Sequence, residues 1–414
     1  MMISDKKSLL SNTVSLYLMN IVKLIFPLLV LPYLTRVLST EIYGVVTYVK
    51  AVNVYIQLII DFGFLLSATK EIVYANSNME LIGRITGDTI AEKVILGILA
   101  CLFFSIVSFF IPILGKNLLF STLYLISVLS TIFLFDFLFR GLEKMHLVAV
   151  PYIVAKTITT AFTFILIHDD SNILLIPLLE IIGNITAVTI SFYFVKKMQI
   201  KITFSSYKKW LSDLKDSCIY FISNFATTIF GALTTLIAGL FLSMTHIAYW
   251  GICMQILSAA KALYNPITNS LYPHMLREKD IKFIKKINII MIIPMVIGSI
   301  IVLFGSEKIM QIIGGIKYVE SAPVLKILLP AFIFSFYSML YGWPVLGVIG
   351  KIKETTVTTV ITSFLQLFGI IILIVGDAFT LINLAVVTSI SEIILFVLRF
   401  FVYCKNKSLF NLEG

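Results

Sequence analysis

Charge is scarce in this chain. Only 13% of its 414 residues are Asp, Glu, Lys or Arg, about half the share of a soluble domain. With a mean hydropathy of +1.01, that excludes a soluble globular protein and leaves an integral membrane protein. Cysteine is scarce too. Cys101, Cys218, Cys253 and Cys404 are scattered without paired spacing, which argues against a disulfide framework and against a zinc site. The four histidines are equally scattered, so neither a metal nor a cofactor is expected. Long polar loops are also missing, and no soluble catalytic domain fits anywhere.

What is present is a series of apolar runs. About twelve reach span length, near 9–34, 42–65, 90–113, 118–139, 146–167, 172–195, 217–242, 246–272, 284–304, 322–349, 355–376 and 379–403. The stretch 305–320 reads as a re-entrant piece. The N-terminal run is too long for a cleaved signal and has no small-residue cleavage site, so it reads as a first span. The formal charge of +10 is not a nucleic-acid signal, because the lysines sit in short loops. Lys6, Lys7, Lys70, Arg84, Arg140, Lys144, the run from Lys196 to Lys215, Lys282, Lys285, Lys286, Lys351, Lys353 and Lys405 fall in alternate loops, whereas the opposite loops hold only Arg36, Lys116, Lys308 and Lys317. By the positive-inside rule both termini are expected in the cytoplasm.

The longest polar stretch, 196–216, contains Tyr207-Lys208-Lys209-Trp210, an amphipathic segment suited to a membrane surface. It divides the chain into expected domains of 1–200 and 217–414, joined by a cytoplasmic linker at 201–216. The halves look related. Leu38-Ser39-Thr40-Glu41-Ile42-Tyr43-Gly44 opens the second span and Leu242-Ser243-Met244-Thr245 opens the eighth, and repeated halves are a hallmark of transporters.

Polar residues fall in helical stripes. Thr13, Tyr17, Asn20, Lys23 and Pro27 share a face of the first span, and Tyr43, Lys50, Asn53, Gln57 and Asp61 one of the second. Tyr220, Asn224, Thr227 and Thr228 do so in the seventh, and Ser258, Lys261, Asn265 and Thr268 in the eighth. Such stripes either glue helices together through hydrogen bonds or line a water-filled cavity. A lysine deep in a span costs about 2.5–3.5 kcal/mol on insertion scales, which favours a wet interior for Lys23 and Lys261. Lys156 is placed to pair with Glu180, Asp136 with Arg140, and Glu392 with Arg399. Lys23, Lys50 and Lys261, with Arg36 at the outer mouth and Asp61 toward the cytoplasmic end, give the expected cavity a cationic character suited to a phosphate or diphosphate. Asn20, Asn53, Gln57, Asn224 and Asn265 suit sugar hydroxyls.

Three segments resemble a known family. They are Pro27-Leu-Leu-Val-Leu-Pro-Tyr-Leu-Thr-Arg-Val-Leu-Ser-Thr-Glu-Ile-Tyr-Gly44, Asp61-Phe-Gly-Phe-Leu-Leu-Ser-Ala-Thr-Lys-Glu-Ile72 and Phe135-Asp-Phe-Leu-Phe-Arg-Gly-Leu-Glu-Lys144, with a weaker match at 342–351. They resemble the Wzx-type flippases of O-antigen and capsule repeat units, within the MATE-like superfamily. The resemblance implies an all-α membrane protein of about twelve spans in a V-shaped pair of six-helix bundles, working by alternating access. It implies a bacterial cytoplasmic (inner) membrane setting. The implied substrate is an undecaprenyl-diphosphate-linked oligosaccharide, carried from the cytoplasmic to the outer leaflet. Membrane lipids, a polysaccharide polymerase and a chain-length regulator are the implied partners, with no nucleic acid. Lys23, Arg36, Lys50 and Asp61 lie in the matching segments as substrate-binding residues; Lys261 rests on the stripe argument alone. Same-fold alternatives are a drug or cation exporter and a lipid II flippase. An enzyme, a multispan polymerase or glycosyltransferase, is disfavoured because the only outer acidic pair, Asp169-Asp170 beside His168, sits in a short turn.

Overall fold

The computed structural model describes residues 2–75, 78–278 and 281–410. Its described residues form helices and no strands, in two compact units, Met1–Thr228 and Ile229–Gly414. The first unit contains α1 (Met2–Val37), α2 (Thr40–Asp61), α3 (Phe64–Tyr74), α4 (Met79–Phe110), α5 (Pro112–Lys116), α6 (Leu118–Ser130), α7 (Asp136–Gly141), α8 (His146–Leu166), α9 (Leu175–Lys197) and α10 (Tyr207–Thr228). The second contains α11 (Thr234–Phe241), α12 (Met244–Ala262), α13 (Asn265–Glu278), α14 (Ile281–Gly314), α15 (Ala322–Ile327), α16 (Leu329–Leu340), α17 (Ile352–Val375) and α18 (Leu381–Lys405).

Among the described residues ten helices are long and apolar enough to cross a membrane. The expected seventh and eighth spans do not qualify, for local reasons. The seventh begins early, at Tyr207, so its first turns carry Lys208, Lys209, Asp213, Lys215 and Asp216; it then passes through a π-turn at Ile229–Leu233 into the short α11. Residues 207–216, expected as linker, are therefore helical and belong to the first unit. The eighth is broken at Leu263–Tyr264 between α12 and α13. The segment 305–320 is not re-entrant. Helix α14 runs on to Gly314, and a 3-10 turn, Ile316–Ser321, follows.

The helix starts obey capping chemistry. Ser39 and Ser243 take nearly the same extended conformation (φ −62°, ψ 158° and φ −66°, ψ 158°), and each accepts from the amide three residues on, Ile42 and His246, at 3.3 Å. Helix α2 ends where Phe62 and Gly63 adopt positive φ of 37° and 85°, a conformation that favours glycine. A side chain on Gly63 would come within 2.5 Å of Tyr220 Cβ, so α10 rests directly on this break. Phe62 stacks on Phe221 at 4.7 Å.

In the first unit, Phe64, Phe135, Phe137 and Phe139 are fully buried at the centre of one apolar cluster. Helices α8 and α9 approach through small residues. Thr159 Oγ1 donates to Leu179 O at 3.3 Å, and a Cβ on Gly183 would lie 2.4 Å from that hydroxyl. Close approach at small residues is how helices associate where lipid removes the hydrophobic drive. In the second unit an aromatic cluster of Tyr264, Phe336, Tyr341 and Tyr403 ties α16 to α18. Helix α17 turns Thr355, Thr358, Thr362 and Gln366 inward, and Gln366 Nε2 donates to Thr234 Oγ1 at 3.1 Å. The opposite pattern holds on α14, where Ile289, Ile293, Ile297 and Phe304 are exposed. An apolar exterior of this kind fits lipid rather than water.

The connector after α9 is strapped to α4. Thr203 N donates to Gly83 O at 3.3 Å, and a Cβ on Gly83 or Gly87 would sit 2.0 or 2.1 Å from the carbonyl oxygens of Lys201 or Thr203. Gly87→Ala should lift the connector off α4 and destabilise the first unit by about 1–3 kcal/mol. The measurement is thermal unfolding in detergent together with the rate of tryptic cleavage at Lys201. Unchanged melting and unchanged cleavage would contradict the close contact.

Candidate substrate-binding site

The polar stripe of α2 is the spine of the site. Lys50, Asn53 and Gln57 line a cavity of about 420 Å³ with Tyr124 and Thr131 and with Lys156, Glu180 and Asn184 from α8 and α9. Lys156 Nζ pairs with Glu180 Oε2 at 2.6 Å, each side chain about three-quarters buried. Both also line, with Lys50, a smaller cavity of about 110 Å³ that reaches Phe26 and Pro27 of α1. Lys50, Lys156 and Glu180 together carry one net positive charge. Asn184 Nδ2 donates to Ser127 O at 2.7 Å. Asn53 Nδ2 donates to its own helix at Val49 O, 2.8 Å, and its buried Oδ1 has no protein partner.

One turn further along α2 the chemistry changes sign. Asp61 accepts from Gln57 Nε2 at 2.8 Å and from Lys93 Nζ at 3.3 Å, and Gln57 Oε1 accepts from Thr131 Oγ1 at 3.2 Å. Lys93 itself is almost wholly buried and also lies 5.8 Å from the Phe137 ring centroid. Lys23 is exposed on α1, with Nζ 5.2 Å from the Tyr152 ring centroid, a cation–π distance.

The second unit carries its own charged cluster. Lys261 Nζ pairs with Glu392 Oε1. Arg399 donates from Nη1 to Ser338 O at 2.5 Å and from Nη2 to Thr359 Oγ1 at 2.9 Å, with longer contacts at 3.4 Å to Thr355 O and Thr358 Oγ1. It lines a cavity of about 310 Å³ with Asn265, Thr268, Tyr272 and Trp343. The wall is a π-turn, Tyr341–Gly347, in which Gly342 leaves helical geometry (φ −72°, ψ −113°), and a Cβ there would lie 2.9 Å from Arg399 Nη1.

The ten expected residues therefore separate. Lys50, Asn53 and Gln57 share one cavity, and Asp61 is bonded to its edge through Gln57. Lys261 and Asn265 belong to the second unit, on α12 and at the start of α13. Arg36 and Asn20 are exposed on α1, and half-buried Asn224 lies on α10 with its carbonyl accepting from Thr228 Oγ1 at 2.8 Å. The side chains of Thr13 and Thr227 lie outside the described residues. Two expected ion pairs do not form. Glu392 goes to Lys261 instead of Arg399, because Arg399 turns to carbonyl and hydroxyl oxygens of α16 and α17. Asp136 and Arg140 are not joined within 4 Å, and Arg140 Nε is buried without a partner. Lys93, Asp88 and Glu92 were not anticipated. Their signal was three charges within two turns at the start of a strongly apolar run.

The class that this fold defines is a multi-span, all-helical membrane protein. The structure is similar to a multidrug resistance MATE family transporter of the MOP superfamily in its inward-facing conformation (TM-score 0.69, 11% identity, covering 95% of this chain and all of that one). It is equally similar to the lipid II flippase MurJ (TM-score 0.69, 14% identity, 95% and 87% covered). Residues 9–279 match the family described as polysaccharide biosynthesis protein, and the chain belongs to that family. Its relatives include candidate O-antigen transporters of Escherichia coli K12, 25% identical over 88% of this chain and 89% of the relative, and of Shigella dysenteriae, 28% identical over 80% and 85%.

The Lys156–Glu180 pair gives a direct check on the site. Removing either charge alone should strand the other in a partly buried place, which costs about 3–5 kcal/mol for a fully buried pair and less here, whereas replacing both with apolar residues should be near neutral. Unfolding of Lys156→Met, Glu180→Met and the double variant in detergent should show a coupling of about 0.5–3 kcal/mol. Strict additivity would mean that the pair does not form.

Proposed function

We propose that the chain is a lipid-linked oligosaccharide flippase, moving undecaprenyl-diphosphate-linked repeat units of a surface polysaccharide from the cytoplasmic to the outer leaflet of the bacterial inner membrane, with both termini in the cytoplasm. The observation that carries this reading is a hydrogen-bonding, net-cationic cavity around Lys50, Lys156 and Glu180 inside a membrane-spanning helix bundle of the polysaccharide biosynthesis family. A diphosphate and its sugars cannot be stripped of water and pushed through hydrocarbon without a prohibitive cost. A wet cavity with lysine point charges offers the phosphates replacement partners, while Asn53, Gln57 and Asn184 offer amides to hydroxyls. The prenyl tail needs no such site and stays in lipid. Lysines hold a phosphate without a bidentate clamp, which suits a carrier that must release its cargo after each alternation of access. The curated relatives named as candidate O-antigen transporters support the polysaccharide branch over drug export.

Deletion of the gene should leave complete undecaprenyl-diphosphate repeat units in the cytoplasmic leaflet and remove surface polysaccharide. Units that reach the outer leaflet but stay unpolymerised would instead indicate a polymerase, and altered drug tolerance with normal polysaccharide an exporter. In the deleted strain, Lys50→Ala should lower surface polymer about ten- to hundredfold, the loss expected for one charge-assisted contact, with the amount of membrane-inserted protein unchanged. Lys23→Ala should likewise remove surface polymer while leaving the protein in the membrane. Full complementation by both variants would remove the lysines from the substrate path.

A further inference from the structure

A second cavity in the first unit has the opposite charge and plays no part in the reading above. It encloses about 420 Å³ between α3, α4 and α10. Four carboxyl groups face it, Glu71 of α3, Asp88 and Glu92 of α4 and Asp213 of α10, against two cations, Arg84 and Lys209. Four of these six are already committed. Asp88 Oδ1 accepts from Ser205 N at 2.6 Å and from Trp210 Nε1 at 2.7 Å, and Lys209 pairs with Asp213. Arg84 reaches Glu80, outside the cavity, at 3.4 Å. Lys93, next in sequence to Glu92, is held by Asp61.

Glu92 is different. The residue is 2% exposed, it lines the cavity, and its Oε1 has no hydrogen-bond partner. The charged groups around it are Asp213, Asp88, Glu71 and Lys209, three anions against one cation already in use. A second polar contact closes the same cavity, where Ser217 Oγ of α10 donates to Ser67 Oγ of α3 at 2.8 Å. An ionised, unpartnered carboxylate in that place is costly. Among the described residues no three His, Cys, Asp or Glu side chains are arranged to hold a metal ion. A proton needs only one oxygen.

We propose that Glu92 is a proton-binding site, and that its loading seats α10, through Asp213 and Trp210, against α3 and α4. With the proton on, the carboxyl is neutral and supplies an O–H donor to the neighbouring oxygens. With it off, Glu92 and Asp213 repel across the α4–α10 contact, and the Trp210–Asp88 hydrogen bond loosens. The cavity thus links the protonation of one glutamate to the position of the helix that follows the polar connector.

Trp210 supplies the readout. The purified full-length protein is titrated between about pH 5 and 9, with the Trp210 contribution isolated by subtracting the emission of Trp210→Phe. The expected result is a one-proton transition in wild type that is lost in Glu92→Gln, whose signal stays at the low-pH level throughout. Asp213→Asn removes a repelling charge, lets the proton leave more easily, and should move the midpoint to lower pH. A transition identical in wild type, Glu92→Gln and Asp213→Asn overturns the proposal, as does the absence of any transition. Replacing sodium by choline at constant ionic strength should change nothing; a sodium-dependent, Glu92-dependent signal would replace the proton by a metal ion and also overturn it. If Glu92→Gln does not yield folded protein, the direction of the Asp213→Asn shift decides.

Discussion

A charge placed among membrane-spanning helices has to find its counter-charge or its hydrogen bonds within the protein, and much of this structure follows from that. Lys156 with Glu180 joins α8 to α9, Lys93 with Asp61 joins α4 to α2, and Lys261 with Glu392 joins α12 to α18. Each pair locks two helices in one register, because sliding either helix by a turn would strand both charges. Arg399 reaches the same end without a carboxylate, using a carbonyl and hydroxyls of α16 and α17. Dispersion and small-residue contacts such as Gly183 against Thr159 then bring the backbones together, but they carry less positional information than the charges.

The architecture was legible because a bilayer imposes a length and a sign on sequence. Apolar runs and alternating loop lysines located the spans, and among the described residues ten appear as long apolar helices. Legibility failed where a helix is interrupted. Gly231 lies inside the π-turn at Ile229–Leu233 and Pro266 directly follows the break at Leu263–Tyr264, so the letters mark both places as points of bending, but they do not say that the helix there opens into a π-turn or stops outright. The site was legible in part for a similar reason. Helical periodicity put Lys50, Asn53 and Gln57 on one face, and they do share a cavity. Periodicity says nothing about which helix stands opposite, so the partner of Lys261 could not be read, and Glu392 was assigned to its neighbour in sequence.

The two halves repeat at a finer level than their letters. Ser39 and Ser243 cap their helices with nearly the same backbone angles, and the helices they start both break near the same point, α2 before Phe64 and α12 before Asn265. The chemistry at the two breaks has diverged. In the first unit Phe62 and Gly63 make a left-handed turn under α10, whereas the second unit holds Leu263 in right-handed geometry and buries Tyr264 in an aromatic cluster.

The strap between the connector and α4 bears on how such proteins can be recombined. The polar stretch after Lys197 looks like the natural place to exchange halves between relatives. Yet Thr203, Ser205 and Trp210 are bonded to Gly83 and Asp88, so a hybrid spliced there would bring in a foreign α10 and lose a fitted surface on α4. The seam that respects these contacts lies at Thr228–Ile229, inside what the sequence presents as a single span. Modular inheritance in this fold is therefore set by which bundle owns the connecting helix, and a domain shuffle that ignores it would separate α10 from the carboxylates it was built to cover.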